Sequence, residues 1–339
     1  MKILILGANG FIGSNLIGYI LKNRPDWHIT ALDLGTDKLG DHVRHSQVTF
    51  KQADMVKSRE WIDAEVAKAD VVLPLAAIAT PATYVSDPIS VFELDFEANL
   101  AVVRDCVKHK TRLVFPSTSE VYGMSGDLPY DENASRLVTG PINKHRWIYS
   151  CSKQMMDRII YAYGTRGDLQ FTLFRPFNWM GPGLDNVWSN KGKSSRVVSQ
   201  FLSDIFHERD IQIVGDGSQQ RCFLYIDDAI DALMRILENK DGCADGRIFN
   251  IGSPENEASI RELAETLLGV IKARKGYENV KTAIRITSAD EYYGKGYQDV
   301  DRRVPSVRKA EQFLGWKPTT SLKDAIAKTV DYYLSVKPA

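Results

Sequence analysis

Ile3-Leu4-Ile5-Leu6 runs directly into Gly7-Ala8-Asn9-Gly10-Phe11-Ile12-Gly13, and this junction constrains the fold of the 339-residue chain more than any other stretch. Four apolar residues closed by a glycine read as a buried strand. Three glycines at a three-residue spacing let the backbone turn tightly and enter a helix, which the sequence continues over Phe11–Asn23. Backbone amides at such a helix start attract a pyrophosphate. The same spacing also serves as a plain structural turn, so other residues must decide whether a ligand belongs there.

Short apolar runs recur at His28–Leu32, Val48–Lys51, Val71–Leu75, Arg112–Phe115 and Phe171–Phe174, separated by amphipathic segments. Pro88–Lys108 carries apolar residues at Val91, Leu94, Leu100, Val103 and Val107, near helical spacing, and Tyr149–Tyr163 reads as another helix. Alternation of this kind predicts an α/β fold, a Rossmann-type doubly wound parallel sheet with a smaller α/β substrate-binding lobe. The texture changes after Pro176: Gly181-Pro182-Gly183 and the polar stretch Asp185–Ser195 mark an excursion into that lobe. Ile226–Leu237 and Ile248–Ile251 return to the sheet, and helices at Ser259–Ile271 and Leu322–Leu334 complete the lobe. The expected division is 1–178 plus about 222–252 for the nucleotide-binding domain, and 179–221 plus 253–339 for the lobe.

Composition narrows the function classes. Lysine and arginine number 43 against 43 acidic residues, so the balance gives no support to a nucleic-acid partner. Cys106, Cys151, Cys222 and Cys243 form no CxxC pair and read as reduced thiols. The apolar start is too short for a signal core, and no stretch reaches the length of a membrane span, so a soluble, cytoplasmic protein without membrane insertion is expected. His42 and His45, the close histidine pair, sit in a polar loop with no completing cluster, so no metal site is expected.

Two acids support a ligand at the glycine turn. Asp33 ends the second strand, twenty residues past Gly13, where a carboxylate accepts hydrogen bonds from an adenosine ribose and repels a 2′-phosphate. The expected cofactor is therefore NAD. Asp54 follows the third strand and reads either as an adenine neighbour or as a helix cap.

A second constellation carries chemistry. Tyr149 and Lys153 stand four apart on one helical face, where a neighbouring ammonium favours phenolate and makes Tyr149 a base for a sugar hydroxyl. Ser117-Thr118-Ser119 follows the fifth strand and should face the same crevice, with Thr118 sharing a hydrogen bond with the reacting hydroxyl.

The glycine turn, Asp33, residues 117–119 and the Tyr149/Lys153 pair together resemble the extended short-chain dehydrogenase/reductase family acting on nucleotide sugars, over essentially the whole chain. Many dehydratases of that family carry Asp-Glu after the threonine, whereas this chain has Thr118-Ser119-Glu120. With Pro141–Lys153, Phe174–Pro182, Asn250–Ile260 and Tyr292–Arg303, it is most similar to the UDP-glucuronic acid decarboxylase half of bifunctional polymyxin-resistance enzymes of the ArnA type. Their formyltransferase domain has no counterpart ahead of the first strand, so formyl transfer is not expected.

The resemblance implies oxidation of UDP-glucuronic acid at C4, loss of carbon dioxide to a UDP-4-keto-pentose, and possible return reduction to UDP-xylose. It gives Arg303 the carboxylate-facing, proton-donating role, with Glu120 and Ser119 beside the reacting carbon. It implies cofactor contacts at Gly7, Asn9, Gly10, Phe11, Ile12, Gly13, Asp33, Asp54, Met55, Leu75, Ala76 and Lys153. Substrate contacts follow at Ala79, Tyr84, Arg146, Asn178, Gln212 through Arg221, and Tyr297. It also implies a homodimer built on the Tyr149/Lys153 helix and the preceding long helix. A UDP-hexose 4-epimerase or dehydratase, and a non-catalytic NAD-binding sensor, stand as alternatives.

Overall fold

A computed structural model describes residues 1–189, 196–294 and 297–338. Residues 190–195, the latter part of the polar stretch expected over Asp185–Ser195, and the pair Lys295-Gly296 lie outside the described residues. β1 (Lys2–Leu6), β2 (His28–Asp33), β3 (Val48–Gln52), β4 (Val71–Pro74), β5 (Arg112–Pro116) and β6 (Phe171–Pro176) share one sheet with the strand Arg247–Ile251. The order is Arg247–Ile251, β6, β5, β4, β1, β2, β3, and every pairing is parallel. Winding reverses between β1 and β4, and such a switch point opens a crevice beyond the strands' carboxyl ends. The fold is the Rossmann-type doubly wound sheet expected from the sequence.

β4 and β5 are buried along their whole length, which is why they read as unbroken apolar runs. Along β1 the side chains alternate: Ile3 and Ile5 enter one core cluster, Leu4 and Leu6 the other. Gly7 leaves β1 at φ +85°, and a Cβ there would lie 2.5 Å from the Ala76 amide nitrogen. A Cβ on Gly13 would lie 2.5 Å from the Ala8 carbonyl oxygen. Gly7→Ala is therefore expected to cost about 2–4 kcal/mol, from left-handed backbone strain plus backbone displacement. A urea midpoint equal to wild type would contradict that expectation.

The long helix departs from the regular one predicted. Helical turns Pro88–Phe92 and Asn99–His109 flank a π-helical stretch, Glu93–Ala98. Within it the Leu94 carbonyl accepts from Asn99 Nδ2 at 2.8 Å. Apolar spacing does not distinguish one inserted residue from a regular turn.

Past β6, short strands carry the remaining site residues to the crevice. Gln220–Cys222 lies between Glu257–Ser259 and Arg302–Arg303, and the register sets Arg303 beside Arg221. Ile211–Val214 pairs in parallel with Ile284–Thr287. The helix expected at Ser259–Ile271 begins one residue later, because Ser259 is its cap, in reciprocal hydrogen bonds with Glu262. Among the described residues no helix is long and apolar enough to cross a membrane.

Candidate active site

A cleft of about 480 Å³ runs along the carboxyl ends of the strands, within the roughly 300–1,000 Å³ range of small-molecule sites. Gly7, Gly10, Phe11, Ile12, Gly13 and Leu75 line one end. The helix Phe11–Asn23 starts there with no side-chain cap and no acid in its first turn. Its leading amides are thus left for an anion, and the glycine cradle fits a dinucleotide pyrophosphate.

The flanking residues are placed less directly. Asp33 Oδ2 accepts from the Asn9 amide at 2.8 Å and Oδ1 from the Gly35 amide at 3.3 Å, so the carboxylate is fixed at the end of β2. The Asn9 side chain is spent on the following turn, accepting from the Lys38 and Leu39 amides. Asp54 accepts from Val56 N within its own turn, while Met55 is core. Ala76 lies beneath Gly7. None of these five lines the cleft.

Tyr149 and Lys153 both do, and both are buried. The Tyr149 ring stacks on Tyr84, centroids 4.6 Å apart. Lys153 Nζ donates to the Pro116 carbonyl at 3.1 Å, stands 3.6 Å from Asp95 Oδ1, and lies 5.9 Å from the Tyr149 ring centroid. The four-residue spacing predicts a phenol made acidic by this ammonium. Burial, with the Asp95 charge, pushes the Tyr149 phenol well up, and the Thr118 hydroxyl partly opposes it. Lys153 is engaged by Asp95, and its own pKa is pushed down by burial.

Beyond the tyrosine the cleft is charged. Glu120 joins two arginines, Oε2 to Arg146 Nη2 at 2.6 Å and Oε1 to Arg303 Nη1 at 2.5 Å. Burial pushes Glu120 up, but Arg146 and then Arg303 outweigh it and hold the carboxyl at about 2. Arg146 is 1% exposed and Arg303 4%. Arg146 Nε and Nη1 and Arg303 Nε have no hydrogen-bond partner among the described residues. Buried guanidinium donors left open in this way suit an anionic ligand. Arg302, by contrast, is exposed and pairs with Glu257, so of the two neighbouring arginines it is Arg303 that faces the cleft.

Ala79, Tyr84, Ser119, Asn178, Gln212, Arg221 and Tyr297 also line the cleft. Arg146 lies behind that wall, its guanidinium 4.5 Å from the Trp147 ring and 5.3 Å from the Tyr297 ring. Asn178 holds a left-handed φ of +41° and donates to the Cys222 carbonyl at 3.1 Å. A buried network braces the floor: Arg175 binds Asp157 and the Tyr122 hydroxyl, and Asp157 accepts from Ser117 at 2.8 Å.

Several neighbours escaped the sequence reading. Asp95 left a trace, an acid set among the apolar positions Val91, Ala98 and Val102. Asp299, which pairs with Arg221 at 2.7 Å, and Tyr293, stacked 4.1 Å from Tyr297, reach the site only through tertiary packing and left none. The same holds for Lys38 and Arg196 at the cofactor end, where both donate to the Leu184 carbonyl.

The sequence model of the NAD dependent epimerase/dehydratase family matches residues 3–252. The PbgP3 protein of Burkholderia pseudomallei is 49% identical over 99% of this chain and 96% of its own, with a TM-score of 0.89. UDP-glucuronic acid 4-epimerase of Bacillus cereus, solved with UDP-glucuronic acid and NAD, is 23% identical over 99% and 100% of the two chains, with a TM-score of 0.82. dTDP-glucose 4,6-dehydratase of Bacillus anthracis, solved with NAD, is 20% identical over 99% and 97%, with a TM-score of 0.79. At that distance the last two show a shared fold.

Proposed function

Because the chain belongs to the NAD dependent epimerase/dehydratase family, we propose that it oxidises UDP-glucuronic acid at C4 and decarboxylates the product to a UDP-4-keto-pentose. The observation carrying this reading is Arg303, paired with Glu120 and keeping an unpartnered guanidinium nitrogen among the described residues, in the same cleft as Tyr149 and Thr118. Arginines also suit the diphosphate of any UDP-sugar, but an arginine placed at the sugar's C6 group, the role proposed for Arg303, serves a uronate carboxylate and not a neutral hexose.

NAD bound along the glycine turn supplies the hydride acceptor. Gly10 to Gly13 hold its pyrophosphate, Asp33 its adenosine ribose, and Lys153 its second ribose. Burial raises the Tyr149 phenol, and the positive charge of a bound nicotinamide would oppose that; Tyr149 then takes the C4 hydroxyl proton, and Thr118 fixes that hydroxyl beside it. The C6 carboxylate then stands β to a ketone, so its loss leaves an enolate whose oxygen Tyr149 and Thr118 stabilise by hydrogen bonding. Arg303 engages the carboxylate, and protonation at C5 completes the reaction. Ala79, Tyr84, Arg146, Asn178, Gln212, Arg221 and Tyr297 hold the UDP portion. In the same proposal, residues 1–178 with 222–252 carry the cofactor, and the remainder carries the sugar nucleotide. The chain pairs with a second copy through the helix Trp147–Thr165, whose outer face exposes Cys151, Met155 and Ala162.

Incubation with UDP-glucuronic acid and NAD, followed by NMR of the products and carbon dioxide detection, tests the reading. Carbon dioxide with a five-carbon sugar nucleotide is expected. A six-carbon C4 epimer without carbon dioxide would replace decarboxylation by epimerisation.

A further inference from the structure

We propose that Asp95 is a positioning residue for Lys153, fixing the ammonium at the cofactor side of the cleft. The inference rests on the reading of Lys153 as a cofactor contact. Asp95 is 0% exposed and Lys153 is 1% exposed. Asp95 Oδ1 stands 3.6 Å from Lys153 Nζ and has no hydrogen-bond partner among the described residues. Its other oxygen, Oδ2, accepts from the Ile78 amide at 3.0 Å.

The local backbone delivers this geometry. Asp95 sits within the π-helical stretch Glu93–Ala98, on the face that packs inward with Val91, Ala98 and Val102. π turns recur at functional sites because the inserted residue redirects a side chain. Asn99 ends the stretch and donates to the Ala76 carbonyl at 3.2 Å. Between them, Asp95 and Asn99 tie the helix to residues 76–78, immediately before Ala79 in the cleft wall. Asp95 therefore connects that wall to the lysine.

Energetics point the same way. An acid on an inward helical face is costly unless paired. A lysine ammonium has three donors. One of Lys153's goes to the Pro116 carbonyl and one side faces Asp95, leaving the remainder for the cleft. Burial pushes the ammonium down, and Asp95, followed by Asp157, opposes that and favours the charged form. The Phe115 ring, 4.8 Å away, adds an aromatic face. Burial likewise pushes Asp95 up, to about 6, with Lys153 pulling against it.

Calorimetric titration of NAD into wild type, Asp95→Asn, Lys153→Met and the double variant tests this. Asparagine keeps the shape and an acceptor for Ile78 but removes the charge. Asp95→Asn and Lys153→Met are each expected to weaken NAD about tenfold, the scale of one charge-assisted hydrogen bond. The double variant should be no weaker than Lys153→Met alone. Unchanged affinity in Asp95→Asn, or losses that multiply in the double variant, overturns the proposal. Asp95→Glu, which restores the charge, should bind within about threefold of wild type on the same scale, and a Glu variant as weak as the Asn variant also overturns it. If Asp95→Asn alone fails to fold, the double variant, which removes both buried charges, should regain the melting temperature, and no recovery counts against the pairing. These titrations need no sugar nucleotide, so failure to decarboxylate UDP-glucuronic acid leaves them intact, while lost coupling in an active decarboxylase sinks Asp95 alone.

Discussion

Tyr149→Phe is expected to lower kcat about 10²–10⁴-fold, the range that a positioned general base contributes. NAD affinity and melting temperature should stay close to wild type. The fold tolerates the change because the ring, not the hydroxyl, makes the packing contact: it stacks on Tyr84 and sits with Val91 in a small buried cluster. The hydroxyl faces Thr118 in the cleft, so its removal deletes a proton acceptor without opening a cavity. Single-turnover formation of NADH from UDP-glucuronic acid, followed by absorbance, measures the step directly. A phenylalanine variant within threefold of wild type would remove Tyr149 from the chemistry. Thr118→Val should lose less, because the phenol remains and only its partner hydroxyl is gone.

The chain declares its sheet and its glycine turn openly, and its site only in part. β1, β4 and β5 are legible because parallel strands buried on both faces need unbroken apolar runs. Gly7 and Gly13 are legible because backbone stands where any Cβ would go. Arg303 is different. Nothing local separates it from Arg302, since both occupy one two-residue strand. The pairing of that strand with Gln220–Cys222 turns Arg303 toward Glu120 and Arg302 toward Glu257, and that is tertiary information. The surroundings of Tyr149 are legible only in part for a related reason. A four-residue spacing shows that a lysine is near, but not that a third residue, Asp95, from another helix engages it. Asp54 shows the opposite limit: its position after β3 suited both a ligand contact and a local cap, and the structure finds it bonded within its own turn.

Glu120→Gln is expected to destabilise the protein by about 3–5 kcal/mol, the cost of breaking a buried charge cluster from one side. The carboxylate stands between Arg146 and Arg303, each nearly inaccessible, and a neutral amide there removes the carboxylate that both guanidiniums pair with. The effect is pH-dependent with a definite sign. Glu120 is depressed in the folded chain to about 2, against about 4.3 for an unperturbed glutamate. A depressed carboxyl contributes stability above its unfolded pKa and loses it as pH falls toward the folded value. From those two values the contribution at neutral pH is about 3 kcal/mol. The stability gap between wild type and Glu120→Gln should therefore be flat from pH 7 to about 5 and close between about 4.5 and 2. Urea denaturation across that range measures it, and a gap that persists unchanged at the acid end would show that packing, not charge, is responsible. The same variant reports on the substrate. A uronate carboxylate entering the cleft brings back the missing negative charge, so UDP-glucuronic acid should raise the melting temperature of Glu120→Gln more than that of wild type. UDP-glucose, with a hydroxymethyl group in place of the carboxylate, should not. Equal stabilisation by the two ligands would mean that Arg303 does not meet the sugar's C6 group, and the decarboxylase reading would lose the observation that carries it.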